Sequence, residues 1–361
     1  MICQQITTSN ILMDCKQLVN IKADILCQGL QTTDVANNIY TRQHPGDDNR
    51  TGNAGLQLIL DDRLVLNAII GDKFCEKSPY RIETDGIYKK IIDYKVIESP
   101  SWYKKCGDVF LQEGKNTLIT AVWNDCCYFH KNEQCRYCEM GYGDNKGFKK
   151  VKDIANAVKM ALKENPNIYV HLTGGNTYTP DRGAAYYLKY VKAIRKVSKT
   201  VPLSLEMAPP DDTIWIEKLV KAGVNGFSIN IEVWNEKKRK EICPGKSKIS
   251  REKYFAAWKK GAELLGKFKV SSMIIAGLDT KKSIKEAITK LVKIGVKPTT
   301  IPFRPFEKSQ LHDYKLPDPK EYVEITKFLG EKLNEYGAKN SDFVGCEHCG
   351  ACTTEADYMK M

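Results

Sequence analysis

Ile168-Tyr169-Val170-His171-Leu172-Thr173-Gly174-Gly175-Asn176 is an apolar, β-branched run that ends in two glycines. A run of this length bounded by glycine predicts a strand closed by a tight turn. Ahead of it, residues 151–164 set Ile154, Val158, Ala161 and Leu162 at helical spacing, and residues 184–196 behind it read as a second helix. The alternation continues in both directions. Strands are predicted at 117–123, 201–205, 226–231, 270–275 and 299–303, and helices at 213–222, 254–265 and 283–294, with Gly223 and Gly266 as stops. Six such units predict an α/β chain whose parallel sheet curls into a partial (β/α)6 TIM-type barrel, with its functional loops at the carboxyl ends of the strands.

Outward from this core the texture changes. Residues 1–113 carry short runs at 56–60 and 64–70, broken by Asp61-Asp62 and Gly71-Asp72, and a Gly/Asp/Asn-rich stretch at 43–55 that should be loop. This part reads as an N-terminal β-rich or α+β module of unknown role. The barrel is expected over 114–310. Residues 311–361 hold one more helix, at 319–336, and a short cysteine-rich tail. The chain has 361 residues, enough to bury a large core without disulfide staples. With 42% hydrophobic and 28% charged residues it is neither disordered nor a membrane bundle, and no apolar run reaches a membrane-helix length. The net charge of +12 comes from scattered lysines, which read as a solvated surface; a basic funnel for an anion or nucleic acid is the sharper reading, with no nucleic-acid motif to support it. Met1-Ile2-Cys3-Gln4-Gln5 opens no secretory signal, so a cytoplasmic location is expected.

Thirteen cysteines in such a chain point to metal or redox chemistry rather than disulfides. Seven fall in two groups: Cys126, Cys127, Cys135 and Cys138, then Cys346, Cys349 and Cys352. Cys3, Cys15, Cys27, Cys75, Cys106 and Cys243 are isolated and expected to be plain buried thiols. The first group follows the first barrel strand. Cys135 and Cys138 form a C-x-x-C, and a thiolate seven or eight residues upstream can loop back to the same centre. Three thiolates with one open position suit a [4Fe–4S] cluster. Zinc, with His130 or the adjacent cysteine as fourth ligand, suits the same residues.

Other positions sharpen the reading. Gly174 and Gly175 at a strand end let backbone approach a ligand, or simply make a turn. Alternation along Ser228-Ile229-Asn230-Ile231-Glu232 puts Ser228, Asn230 and Glu232 on one inward face, costly unless they bind something. Arg304 and Glu206 stand at strand ends as anchors for a charged ligand. Asp181-Arg182 reads as a carboxylate site or a surface ion pair, and Lys246 as facing the site or exposed at a helix start.

On these residues the region 114–310 resembles the radical S-adenosylmethionine (SAM) superfamily, most closely the biotin synthase and lipoyl synthase branch. The resemblance implies that Cys135 and Cys138 are the last two ligands of a [4Fe–4S] cluster, with Cys126 or Cys127 as the first, across a longer loop than the superfamily usually has. It implies that Tyr137 is the aromatic residue ahead of the final cysteine. It implies SAM binding by Gly174, Gly175 and Asn176 at the amino group, by Asn230 and Glu232 at the ribose, and by Gly277 beside the adenine. An enzyme of this kind cleaves SAM reductively to a 5′-deoxyadenosyl radical, which abstracts hydrogen from a small-molecule substrate. Electrons come from a donor such as ferredoxin or flavodoxin.

Cys346-Glu347-His348-Cys349-Gly350-Ala351-Cys352 is C-x-x-C-x-x-C, a ferredoxin-like spacing. It predicts a second, auxiliary [4Fe–4S] cluster, with a structural zinc using His348 and a mobile thiol tail as the other readings. A fourth ligand is sought in Cys106, Cys243 or the substrate. The branch makes sulfur insertion from the auxiliary cluster the leading reaction, and oxidation or rearrangement in cofactor biosynthesis the alternative. Two further classes stand beside the enzyme: a zinc-stabilised basic nucleic-acid-binding protein, and a factor that assembles or passes on iron–sulfur clusters.

Overall fold

The computed structural model describes residues 13–44, 55–106, 109–142 and 147–361. Cys3 and residues 45–54 of the expected loop lie outside them. The N-terminal module is α+β. Helices α1 (Cys15–Gln28) and α2 (Asp34–Gln43) pack beside an antiparallel sheet of β2 (Leu64–Ala68), β1 (Leu56–Leu60) and β5 (Tyr94–Val96), in that order, and a hairpin of β3 (Arg81–Glu83) and β4 (Gly86–Tyr88). The two helices are not legible in the sequence. Thr33 caps α2, its hydroxyl accepting from the Ala36 N–H. A short helix α3 (Tyr103–Cys106) leads into the barrel.

The barrel is one curled sheet. Strands β7 (Thr117–Ala121), β8 (Tyr169–Thr173), β9 (Leu203–Glu206), β10 (Gly226–Ser228), β11 (Val270–Ala276) and β12 (Lys297–Pro302) run parallel in sequence order. An antiparallel strand β6 (Leu111–Glu113) pairs with β7 at the edge. The expected six-strand half-barrel is therefore present, with β10 shorter than predicted. Helices α4 (Val151–Glu164), α5 (Ala184–Val197), α6 (Ile214–Ala222), α7 (Glu236–Ile242), α8 (Arg251–Leu265) and α9 (Lys281–Lys293) connect the strands. In α4, Ile154, Ala157, Val158 and Ala161 recur at intervals of three and four and are the residues buried on the sheet. Among the described residues no helix is long and apolar enough to cross a membrane.

After the barrel come α10 (Pro319–Glu335), the one-turn helices α11 (Cys346–Cys349) and α12 (Glu355–Tyr358), and a tail folded back into the molecule. Asp318 caps α10 and Pro319 opens it. The tail enters the barrel from the amino ends of the strands. Gly345 (φ 68°) lies so close to β8 and β9 that a Cβ would stand 1.8 Å from Ser204 Oγ and 2.9 Å from His171 Nδ1. Glu347 Oε1 then accepts hydrogen bonds from Ser228 Oγ (2.8 Å) and Ser271 Oγ (2.7 Å). Two buried ion pairs fasten the end of the tail: Lys22–Asp357 at 2.7 Å, joining α1 to α12, and Lys297–Glu355 at 3.2 Å, joining β12 to α12.

Removing one partner of a buried pair strands the other charge, at about 3–5 kcal/mol. Lys297→Met should therefore lower the urea-unfolding free energy by about that amount, whereas Lys327→Met, in an exposed pair with Glu331, should change it little. A second prediction concerns pH. Burial, with like charge from Glu139 and Glu307, pushes the Asp72 carboxyl up to about 6. The folded state thus binds this proton more tightly than the unfolded chain, and stability is lost as pH rises through that value. Asp72→Asn should raise the urea midpoint at about pH 8 and leave it nearly unchanged at about pH 4.

Candidate functional site

At the carboxyl ends of the strands the loop after β7 and the loop after β8 lock together. Trp123 donates from its indole N–H to the Gly175 carbonyl at 2.7 Å, and its ring lies under Gly174, where a Cβ would come within 2.7 Å of it. A Cβ on Gly175 would stand 2.1 Å from the Asp125 carbonyl oxygen and 2.8 Å from Cys126 Cα. The two glycines thus admit the cysteine loop itself. Two more backbone links join the same loops: Cys127 N–H donates to the Asn176 carbonyl (2.9 Å), and Asn176 N–H points at Cys126 Sγ (3.4 Å).

The Cys138 thiol is near enough to feel the charge of both Cys135 and Cys126. Burial, with those charges adding to it, pushes it up to about 12. Cys126 is held down at about 6, because Cys127 donates its S–H to it and the Asn176 and Tyr128 backbone and Lys246 assist. Cys127, the donor of that pair, is raised and faces Arg182. Around the thiols Val233, Ile242, Ile275, Leu278 and Phe303 make an apolar wall, against which Tyr137 also packs. Cys243 is fully buried and its thiol touches Cys135, at the opposite end of the strands from the tail. Cys106 lies against Met160. Neither is beside the tail cysteines. Cys27, Cys75, Cys106 and Cys243 are buried as expected; Cys15 is exposed, since it opens α1 at the surface.

Among the described residues no three His, Cys, Asp or Glu side chains converge on a single ion. A cubane asks for something else, since each thiolate binds a different iron. Three soft thiols on one apolar-walled loop fit that group. His130 is exposed and bonds Asp125 at 2.8 Å, which takes it out of the zinc set.

Beside the thiols lies a cleft of about 290 Å³ that brings together Gly174, Gly175, Asn176 and Asn230 with Arg182, Glu206 and Lys246. Asn230 Nδ2 donates to Glu206 Oε1 (2.9 Å) and its Oδ1 accepts from the Met273 N–H (2.9 Å). Glu232, in left-handed backbone (φ 59°), is ion-paired with Lys246. Burial alone would strip the Lys246 proton, but the Glu232 carboxylate keeps its affinity well above the ordinary value. Burial opposes ionisation of Glu206 too, yet His171, Lys246 and Asn230 outweigh it and hold the carboxyl low. Lys246, Arg182 and Glu206 are thus drawn into the site. The only signal for Lys246 in the sequence is the Pro-Gly ahead of it.

Ser228 and Arg304 are placed elsewhere. Ser228 bonds Glu347 at the amino end of the sheet. Arg304 does not line the cleft; it acts on Glu113, Cys352, Cys27, Cys75 and Asp72. Gly277 (φ 96°) makes a turn after β11 beneath Pro317. The tail thiols Cys346, Cys349 and Cys352 are partly buried and act on one another. His348 is turned from them, stacked on Tyr169 at 4.0 Å, with its ionisation set by burial, Asn340, Lys269 and Lys297.

The fold and site define a half-barrel that presents three thiols beside a charged cleft. Residues 127–303, most of the barrel, match the family described as the Radical SAM superfamily. The chain is similar to the bacteriochlorophyllide c C-7(1)-hydroxylase of Chlorobaculum limnaeum, 25% identical over 54% of this chain and 53% of that one. It therefore spans about half the length of that curated relative. Among solved structures it is similar to the FeFe-hydrogenase maturase HydG from Carboxydothermus hydrogenoformans (17% identity, TM-score 0.48, 60% of this chain and 51% of that one). A radical SAM methyltransferase from Sphaerobacter thermophilus matches at 13% identity and TM-score 0.46, over 68% and 72%.

Gly175→Ala should leave the far-ultraviolet circular dichroism of the barrel intact yet markedly reduce iron uptake on anaerobic reconstitution, because the new methyl displaces the Cys126 backbone; unchanged iron content would contradict the locked-loop geometry.

Proposed function

We propose that this protein is a two-cluster radical SAM enzyme that removes hydrogen from a small-molecule substrate. The observation that carries the reading is the cleft: Gly174, Gly175, Asn176 and Asn230 line one wall with Arg182, Glu206 and Lys246, directly beside the Cys126 loop. Cys126, Cys135 and Cys138 would hold the first [4Fe–4S] cluster, with Cys127 in support through its S–H. Bound there, cluster and SAM together supply a one-electron cleavage that yields a hydrogen-abstracting radical. The chain's own residues do the positioning. Asn176 and the two glycines present backbone to the cofactor, and Arg182 offers a cation to a carboxylate at the cleft. Asn230 and Glu206 offer polar contacts fixed by their mutual hydrogen bond. Glu232, with one carboxylate oxygen unbonded, has an acceptor left for a hydroxyl.

The tail thiols would hold the second cluster, at the amino end of the same barrel. Sulfur insertion from that cluster and substrate oxidation both use such an arrangement. The relative's name, a hydroxylase, favours oxidation, with ferredoxin or flavodoxin as the electron carrier.

The test is anaerobic reconstitution with iron and sulfide, followed by dithionite and SAM, with 5′-deoxyadenosine measured by chromatography. Wild type should form it and Cys135→Ala/Cys138→Ala should not. Cys126→Ala should abolish it, whereas Cys127→Ala should retain most of it; the reverse order would move the first ligand to Cys127. Absence of 5′-deoxyadenosine from fully reconstituted wild type would sink the proposal.

A further inference from the structure

The tail cysteines meet a carboxylate that the cysteine spacing does not announce. Glu113 ends β6 at the turn into β7 and is 8% exposed. The backbone beside it touches the tail: a Cβ on Gly114 would stand 2.6 Å from Cys349 Sγ. Asn67 of β2 ties the two together, donating from Nδ2 to Glu113 Oε2 (2.9 Å) and to Cys352 Sγ (3.4 Å). Its backbone N–H donates to the Ala351 carbonyl (3.0 Å), which fixes the Cys349–Cys352 turn against β2. Gln57 Nε2 is the second donor to Glu113 Oε2, at 3.3 Å.

Glu113 is the carboxylate that acts on all three thiols, Cys346, Cys349 and Cys352. The other candidates act on fewer of the thiols. Glu347 acts on Cys346 alone, and its Oε1 is bonded by Ser228 and Ser271. His348, stacked on Tyr169 with Nδ1 unbonded, acts on none of the three. Both direct donors to Glu113 are neutral amides, and among the described residues no Lys, Arg or His lies within ion-pair distance of it. A buried carboxylate whose only hydrogen bonds come from amides, with Arg304 acting on it from beyond ion-pair distance, gains from a cation at its second oxygen. Iron in a cluster would supply it, and carboxylate oxygen is a competent iron ligand.

We propose that Glu113 is the fourth protein ligand of an iron–sulfur cluster held by Cys346, Cys349 and Cys352. The inference rests on the two-cluster reading above and adds that this cluster has no open corner for substrate. Asn67 and Gln57 are positioning residues: they bond one carboxylate oxygen and leave the other to the metal.

The experiment uses the full chain with the first group removed (Cys126→Ala/Cys135→Ala/Cys138→Ala), reconstituted anaerobically with ferrous iron and sulfide. Iron content and electron paramagnetic resonance are the readouts. This background should hold about four irons per chain, and adding Glu113→Gln should remove about one and give the signal of a three-iron cluster. Glu113→Cys should restore the lost iron with a spectrum unlike that of the background, since sulfur replaces oxygen. A Glu113→Gln protein that keeps all its iron and an unaltered spectrum overturns the assignment while leaving the tail cluster standing. Should Glu113→Gln fail to fold, an unaltered spectrum in Glu113→Cys overturns it equally. A background that takes up no iron overturns the tail cluster and this inference together.

Discussion

Glu347 carries a carboxylate into the lumen of the half-barrel, where Ser228 and Ser271 both donate to it. Those serines lie side by side in register on β10 and β11, and Ser204 and His171 continue the same inner layer on β9 and β8. Ser228 and Ser271 also bond each other (3.0 Å) and Ser204 bonds His171 (2.7 Å), and the carboxylate supplies the charged acceptor that Ser228 and Ser271 share. The barrel interior is therefore written to receive a polar plug, and the plug is the chain's own tail. Once Glu347 is seated, the distance of the flanking cysteines from the strand ends is set. The Lys22–Asp357 and Lys297–Glu355 pairs then hold the residues beyond them to α1 and β12.

The two ends of the strands meet opposite demands. At the carboxyl ends charge is gathered and balanced: Lys246 with Glu232, Glu206 with His171 and Asn230, Arg182 with Asp211. Paired groups of this kind can exchange partners with a charged ligand entering the cleft. At the amino ends the tail thiols lie near the buried Glu113, which Asn67 and Gln57 bond, and Glu347 acts on Cys346 as well. The barrel wall between them is the ordinary apolar core shared with the N-terminal module.

Much of the fold is legible in the sequence because parallel strands and their helices have strong periodicity. The 151–164 helix coincides with α4, and five of the six strands lie within a few residues of their predicted bounds. The N-terminal helices escape such a reading. In α1, Lys22 faces inward to meet Asp357 and Gly350, which breaks the polar face that periodicity looks for. The site is legible in part. Gly174 and Gly175 line the cleft, but the close approach they permit is made by Trp123 and the Asp125-Cys126 backbone. Strand alternation groups Ser228 with Asn230 and Glu232. The strand ends at Ser228, and the backbone leaves the regular pleat before Glu232 takes left-handed φ, so the serine faces the tail, Asn230 lines the cleft and Glu232 pairs with Lys246 behind it.

By itself the sequence determined the local features: where strands and helices form, where the cysteines cluster and which glycines demand close packing, since these depend on the side chains of near neighbours. Tertiary structure alone decided which distant groups meet. Lys246 reaches Glu232, Cys243 touches Cys135 rather than the tail, and Asn67 joins Glu113 to Cys352. Closing the sheet sets such partners, because residues far apart in the chain become neighbours only when the strands are laid side by side.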